Sequence, residues 1–193
     1  DKAVATPAFF GSFKVLKNHD LSVRAFYKRM FRMPTFNDLY YTDMGNAFLK
    51  PEYAEQFNVG LKYTRNFEKS PFMRMLDVSV DAYYNKITDK IIAYPKGQQF
   101  RWTMLNLGEV EIKGVDAVLN TQFSLGKLEV TTKFQYTYQK AIDITDPADT
   151  YYRDQIPYIP WHSGSAILAL FYKGWGLNYS FIYTGQRYNQ QEN

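Results

Sequence analysis

Apolar and polar residues alternate one by one over long stretches of this chain, and few folds can satisfy that pattern. From Tyr53 the odd positions read Tyr53, Phe57, Val59, Leu61 and Tyr63, while Gln56, Asn58, Gly60, Lys62 and Thr64 fall between them. Leu76, Val78, Val80, Ala82 and Tyr84 stand against Asp77, Ser79, Asp81, Tyr83 and Asn85. Val130, Phe134 and Tyr136 alternate with Glu129, Thr131, Lys133 and Gln135, and Trp175, Leu177, Tyr179, Phe181 and Tyr183 oppose Asn178 and Ser180. A period of two gives a strand one apolar and one polar face. With the weaker runs added, the pattern predicts strands over 8–16, 21–31, 52–66, 73–94, 100–124, 127–140, 163–173 and 175–186. Several match or exceed the ~9–11 residues of a tilted membrane strand, whereas strands of soluble proteins cluster near ~5–6.

The connections alternate too. Short polar turns are expected at 17–20, 66–70, 124–127 and 173–174, and longer, irregular links at 33–51, 94–99 and 141–161. Short and long links in strict succession are what an up-and-down barrel with brief periplasmic turns and extended outer loops requires. Aromatic residues make up 18% of the chain, with 17 Tyr and 15 Phe, which suits the interfacial girdles of a membrane barrel. A mean hydropathy of −0.42 does not oppose this, because only alternate side chains face lipid. The longest uncharged apolar run, Ala166 to Tyr172, falls far short of the ~20 residues of a spanning helix.

Without cysteine there is no disulfide framework and no thiolate chemistry. A scattered net charge of +4 gives no footprint for nucleic acid. Asp1-Lys2-Ala3 does not open a basic-then-apolar leader, so the sequence is expected to begin within a longer protein or after processing. The polar segment from Tyr188 to Asn193 reads as an outer loop, and the strands at 73–94 and 100–124 are longer than a small barrel needs. The expectation is an all-β, antiparallel arc of something larger.

Five sequence blocks carry a family resemblance. The first holds Arg32, Pro34, Thr35, Asp38, Leu39 and Tyr40, followed by Gly45-Asn46 and Leu49-Lys50-Pro51-Glu52. The second runs from Ala82 to Ile91, and the third from Asn106-Leu107-Gly108 through Lys113-Gly114-Val115-Asp116. Ile156-Pro157-Tyr158-Ile159-Pro160-Trp161-His162 and Tyr183-Thr184-Gly185 complete the set. In this order they resemble the C-terminal barrel region of TonB-dependent outer-membrane receptors. That resemblance implies about eight strands of a transmembrane barrel of 22, closed by an N-terminal plug through which an inner-membrane TonB complex delivers energy. It also implies that the plug and roughly the last two strands lie outside this chain. Outer-membrane lipid, the TonB complex and a small-molecule ligand would be the partners, and a Gram-negative outer membrane the location.

Several motif residues have a plain physical reading. Pro34 and Pro51 cannot donate to a strand ladder, so they mark strand exits on either side of the first long link. Gly45-Asn46 is expected to supply a positive-φ turn there, and Arg32 and Glu52, near facing strand ends, to pair as a brace. Ligand capture in such a receptor falls to outer loops and the inner wall. The candidates are Tyr40, Tyr41 and Asp43 in the first long link, Gln98, Gln99, Arg101 and Trp102 around the second, and Tyr151, Tyr152 and Arg153 in the third. Tyr and Trp near strand ends also serve as lipid-interface anchors. Related haem receptors carry a ligating His between the boxes matched by Arg32-Met33-Pro34 and Asn46-Ala47-Phe48-Leu49. No His occurs from Thr35 to Gly45, which disfavours haem and leaves ferric siderophore, cobalamin and oligosaccharide open.

Other chemistry is poorly represented. Asp143, Asp146, Asp149 and Asp154 form an acidic run, but the spacing is not that of a calcium loop and a solvated loop is expected. Gly60, Gly114 and Gly164 suit bulges or close packing and belong to no phosphate-binding motif. His19 and His162 lack the partners of a nucleophilic site, so no catalysis and no cofactor are expected. A passive porin, an enzyme barrel and a soluble all-β adhesion or carbohydrate-binding domain are the rival readings.

Overall fold

The computed structural model describes residues 4–16, 20–96 and 101–189. Eight strands follow one another: β1 (Ala8–Lys14), β2 (Asp20–Arg32), β3 (Glu52–Asn66), β4 (Met73–Lys96), β5 (Arg101–Leu125), β6 (Leu128–Asp143), β7 (His162–Tyr172) and β8 (Trp175–Thr184). Each pairs antiparallel with the next, giving one sheet in sequence order. Next-neighbour pairing, through tight turns at one end and long links at the other, satisfies the interior ladders without crossovers. Gly126 at φ 64° turns the chain between β5 and β6, and Lys173 and Gly174, at φ 46° and 87°, turn it between β7 and β8. Positive φ at both centres matches the twist of the flanking strands.

The alternation read from sequence becomes two faces. On one, a cross-strand row reads Leu21, Tyr63, Val78, Leu119, Phe134, Ala166 and Phe181 from β2 to β8. The adjacent row reads Val23, Leu61, Val80, Ala117, Tyr136, Gly164 and Tyr183. Val59, Leu61, Leu177 and Tyr179 are each more than half exposed, so these rows are not buried against a second layer. That is the lipid-facing surface of a barrel wall.

The other face is polar and internally bonded. Asp77 accepts from the Thr64 hydroxyl at 2.7 Å and the Asn120 amide at 2.9 Å, with Lys62 at 3.4 Å. The Thr137 hydroxyl donates to Asp116 at 2.7 Å. Arg24 on β2 reaches Asp81 on β4 and passes directly over Gly60 of β3, where a Cβ would collide with both side chains. Gly114 likewise leaves room for the Tyr83 ring. Close packing is therefore what these two glycines provide.

Towards the end bearing the long links, the faces exchange character. Inner-side positions become apolar and buried: Ala54, Ile87, Val110, Ile112 and Ala141. Outer-side positions become charged, with Arg29 beside Glu55 at 4.0 Å, Lys86 bonded to Glu109 at 2.8 Å, and Lys113 to Glu111 at 2.8 Å. Charged side chains cannot stay in hydrocarbon, so this inversion marks where the wall leaves the bilayer.

Three expectations are corrected. The first long link holds a short helix, α1 (Phe36–Tyr40), in place of wholly irregular chain. The positive φ in that link belongs to Asp43, at 67°, and not to Gly45-Asn46. Gly45 is needed for closeness, since its Cβ would lie 2.7 Å from the Leu39 carbonyl carbon. Asp143 ends β6 at 7% exposure and so is no part of a solvated acidic loop.

The two faces predict opposite tolerances. Val78→Arg or Leu61→Arg near the midplane should weaken membrane assembly by ~2–4 kcal/mol, while Ser79→Arg on the inner wall should cost much less. Heat-modifiability of the complete receptor on gels reads the difference. Equal losses at both sets would contradict the facing.

Candidate functional site

The long-link end is a rim built from three chain segments. Pairing of β3 with β4 stops at Tyr53 and Thr88, so the β4–β5 hairpin projects beyond β3. Residues 33–51 grip it from one side. The Met104 N–H donates to Met44 O at 2.8 Å, and the Asn46 side-chain amide to Met104 O at 3.0 Å. Asn106 accepts from Lys50 N–H at 2.8 Å and donates to the carbonyls of Lys50 at 3.1 Å and Asp89 at 2.7 Å. Two of the motif blocks, Asn46 with Leu49–Glu52 and Asn106, thus meet in one clasp. Leu49 is half-buried within it.

Arg32 and Glu52 are register partners, and their side chains approach to 3.5 Å, so the expected brace forms. It has a third member that sequence reading missed. Thr35 caps α1 by accepting from Asp38 N–H at 3.2 Å, while Asp38 accepts from Thr35 N–H at 2.9 Å and from Arg32 at 2.9 Å. Pro34 leads into that cap. Glu52 also accepts from the Ile91 N–H at 3.0 Å, closing the ladder where β3 begins. Burial pushes the Asp38 carboxyl upwards, but the Thr35 N–H, the Thr35 hydroxyl and Arg32 together outweigh it and hold the group below its ordinary range.

From the other side comes the segment 144–161. Glu109 accepts from Ile144 N–H at 2.9 Å, and its own N–H donates to the Thr145 hydroxyl at 2.9 Å. Further on, Gln155 pairs with Ile142 as an isolated bridge and is 2% exposed. Its side chain accepts from Ala141 N–H at 3.0 Å and donates to Ile159 O at 3.2 Å. Residues 156–160 bulge out of the β6–β7 ladder there, and the Gln155 amide stands in for the missing strand. The bulge lays Ile156 and Ile159 on the buried inner-side cluster of Ala54, Ile87, Val110, Ile112 and Ala141. Between bulge and hairpin lies a cleft of about 360 Å³ lined by Lys90, Ile92, Ala93, Tyr94, Trp102, Ile156, Pro157, Tyr158 and Ile159.

The residues nominated from sequence fall around this rim. Tyr40 and Tyr41, each 59% exposed, end α1, with the Tyr40 ring 5.1 Å from Phe36. Asp43 holds the positive-φ turn after it. Leu39 is half-buried, and its carbonyl lies against Gly45. Arg101 opens β5 exposed, and Trp102 packs 5.5 Å from Tyr158 in the cleft. Gln98, Gln99 and His19 lie outside the described residues, as does part of the first short turn. Tyr151 and Tyr152 are half-buried in the third segment, and Arg153, at φ 71°, donates its N–H to Asp143 O at 2.7 Å. Of the candidates among the described residues, only Trp102 lines the cleft. Sequence reading missed Lys90, Ile92, Tyr94, Gln155, Ile156, Tyr158 and Ile159. The signal for the last three was the apolar, proline-containing run Ile156-Pro157-Tyr158-Ile159-Pro160 inside a segment read as an outer loop.

No cluster of ligands able to hold a metal ion occurs among the described residues. Asp143, Asp146 and Asp149 instead accept from Thr145, Ala148 and Tyr151 N–H groups two residues on, as turn-forming carboxylates do. His162 bonds to the Tyr136 hydroxyl at 2.8 Å on the lipid-facing side.

Comparison with known proteins fits this architecture. The model of the TonB dependent receptor-like β-barrel family matches residues 1–193. The chain belongs to that family. Its eight strands are a stretch of that barrel wall. It is 29% identical over 170 residues to the vitamin B12 transporter BtuB of Photobacterium profundum, covering 84% of this chain and 24% of the relative. It is 32% identical over 99 residues to the vitamin B12 transporter BtuB of Vibrio vulnificus, covering 51% and 14%. The chain thus spans about a quarter or less of the curated relatives it matches.

Two outcomes are expected at the rim. Gln155→Leu strands the Ala141 N–H and the Ile159 carbonyl and should loosen 144–161 by ~1–3 kcal/mol, read as faster proteolysis of that segment. Because the folded Asp38 carboxyl titrates below its unfolded value, its contribution is complete above the ordinary carboxylate range. It is lost as pH falls through the lowered folded value. Hydrogen exchange at 35–41 should therefore accelerate only in strong acid, and Asp38→Asn should abolish that acid step.

Proposed function

We propose that the complete receptor imports a scarce nutrient across the outer membrane of a Gram-negative bacterium, driven through TonB, with a corrinoid as its cargo. The observation that carries this reading is the family match across the whole chain, joined by two relatives named as vitamin B12 transporters. Of ferric siderophore, cobalamin and oligosaccharide, those relatives favour cobalamin. The plug and its coupling segment would belong to the rest of the protein, and the role is transport rather than catalysis.

The rim is the proposed capture surface. Tyr40, Tyr41 and Asp43 would approach the ligand from the first segment, Gln98, Gln99, Arg101 and Trp102 from the hairpin, and Tyr151, Tyr152 and Arg153 from the third. The Trp102–Tyr158 pair supports this, because an aromatic-lined cleft with one cation beside it binds large, flat, partly apolar molecules.

The test is uptake of labelled cyanocobalamin by cells lacking their own receptor and expressing the complete protein, with and without TonB. Uptake should require TonB, and Trp102→Ala should weaken surface capture by ~10-fold, the loss of one aromatic anchor. Uptake of a ferric siderophore in place of cobalamin would overturn the cargo. Accumulation that persists without TonB would return the protein to the passive pores.

A further inference from the structure

One cross-strand row on the lipid-facing side reads Phe9, Tyr27, Phe57, Tyr84, Lys113 and Lys140 from β1 to β6. It lies where the apolar band gives way to the charged belt. One step inward stand Ala82, Val115 and Tyr138, and one step outward Lys86 and Glu111. Four aromatic rings in this row are girdle residues in the ordinary sense. The two lysines that end it are not.

Lys113 and Lys140 are direct register partners. Like charges so placed repel, and the pairing destabilises a sheet unless something neutralises it. The protein supplies little. Glu111 lies 2.8 Å from Lys113 and is already committed to it. Lys86 and Glu109, further out, are taken up with each other at 2.8 Å. Among the described residues no carboxylate comes within ion-pair distance of Lys140, whose ammonium sits 5.5 Å over the Trp161 ring. The Lys113 ammonium sits 5.4 Å over the Tyr84 ring. At the edge of the apolar surface Lys113 therefore has Glu111 as its counter-charge, while Lys140 beside it has an aromatic ring and no carboxylate among the described residues.

We propose that Lys113 and Lys140 together hold the phosphate of an anionic glycolipid in the outer leaflet, with Tyr84, Tyr138 and Trp161 packed against its sugar and first acyl atoms. The charge is complementary, the depth is that of a headgroup, and the rings flanking both ammonium groups form a ledge for the apolar part of the same molecule. A free anion would meet the two lysines but leave the ledge unused. The inference rests on the membrane placement proposed above and not on the identity of the cargo.

The experiment uses the complete receptor in micelles doped with diphosphorylated lipid A or its dephosphorylated form, with retained lipid counted by native mass spectrometry. The phosphorylated form should be retained ~10-fold better, and Lys113→Gln combined with Lys140→Gln should erase that preference. Lys113→Arg with Lys140→Arg should keep it, as should Lys133→Gln on the inner wall. An unchanged preference in the double glutamine variant overturns the site. Displacement of the lipid by excess inorganic phosphate overturns the lipid as occupant. A receptor that imports no cobalamin still gives a readable lipid ratio, so the two proposals fail separately.

Discussion

Backbone N–H and C=O groups inside hydrocarbon have no partners except one another, and a sheet wall supplies them only if every strand meets its neighbour in register. The sequential antiparallel order of β1 to β8 meets that demand without a crossover. Everything else about the wall is arranged around it. The period of two assigns each side chain to lipid or lumen, so a one-residue slip would reverse the whole surface. Paired rows such as Leu21, Tyr63 and Val78 hold the register from the lipid side. On the lumen side it is held by bonds that cross strands, of which Arg24 to Asp81 spans the farthest. That contact passes over an intervening strand, so Gly60 belongs to the ion pair as much as the two charged residues do.

The exchange of faces near the rim gives the wall a second mode of stability. Within the bilayer an apolar exterior surrounds a polar interior, and the hydrophobic effect acts between protein and lipid. Beyond it the exterior is charged, and Ile87, Val110, Ile112 and Ala141 bury themselves against Ile156 as a small water-soluble core would. The same strands therefore serve as membrane wall below and as scaffold for a compact rim above.

The strands were legible because alternation is local. β3 matched its expected bounds, and the others moved by one to three residues at one end or both. The tight turns followed from Gly126 and from Lys173-Gly174. The rim was less legible, for physical reasons. Helix α1 spans little more than one turn, too short for periodicity, although Thr35 and Asp38 have capping-box spacing. Gly45 was read as a positive-φ residue when its role is to let two backbones touch, and sequence does not separate those uses. The Arg32–Glu52 brace could be anticipated from strand ends, whereas Asp38 joins it only after the helix turns the chain back. The cleft depends on contacts between residues about sixty apart, such as Trp102 with Tyr158, which no local pattern reports.

Gln155 anchors the third segment with a side chain where the ladder itself has opened. Beyond that amide the segment stays tied to the end of β6 by main-chain bonds between Asp143 and residues 153–154. Residues 146–152, whose main-chain bonds stay within the segment, can lengthen, shorten or change composition without breaking a strand pair. What the rim recognises can then change within residues 146–152 while the wall below is kept, because the seam between shell and crown is the Gln155 amide together with the main-chain bonds on either side of it.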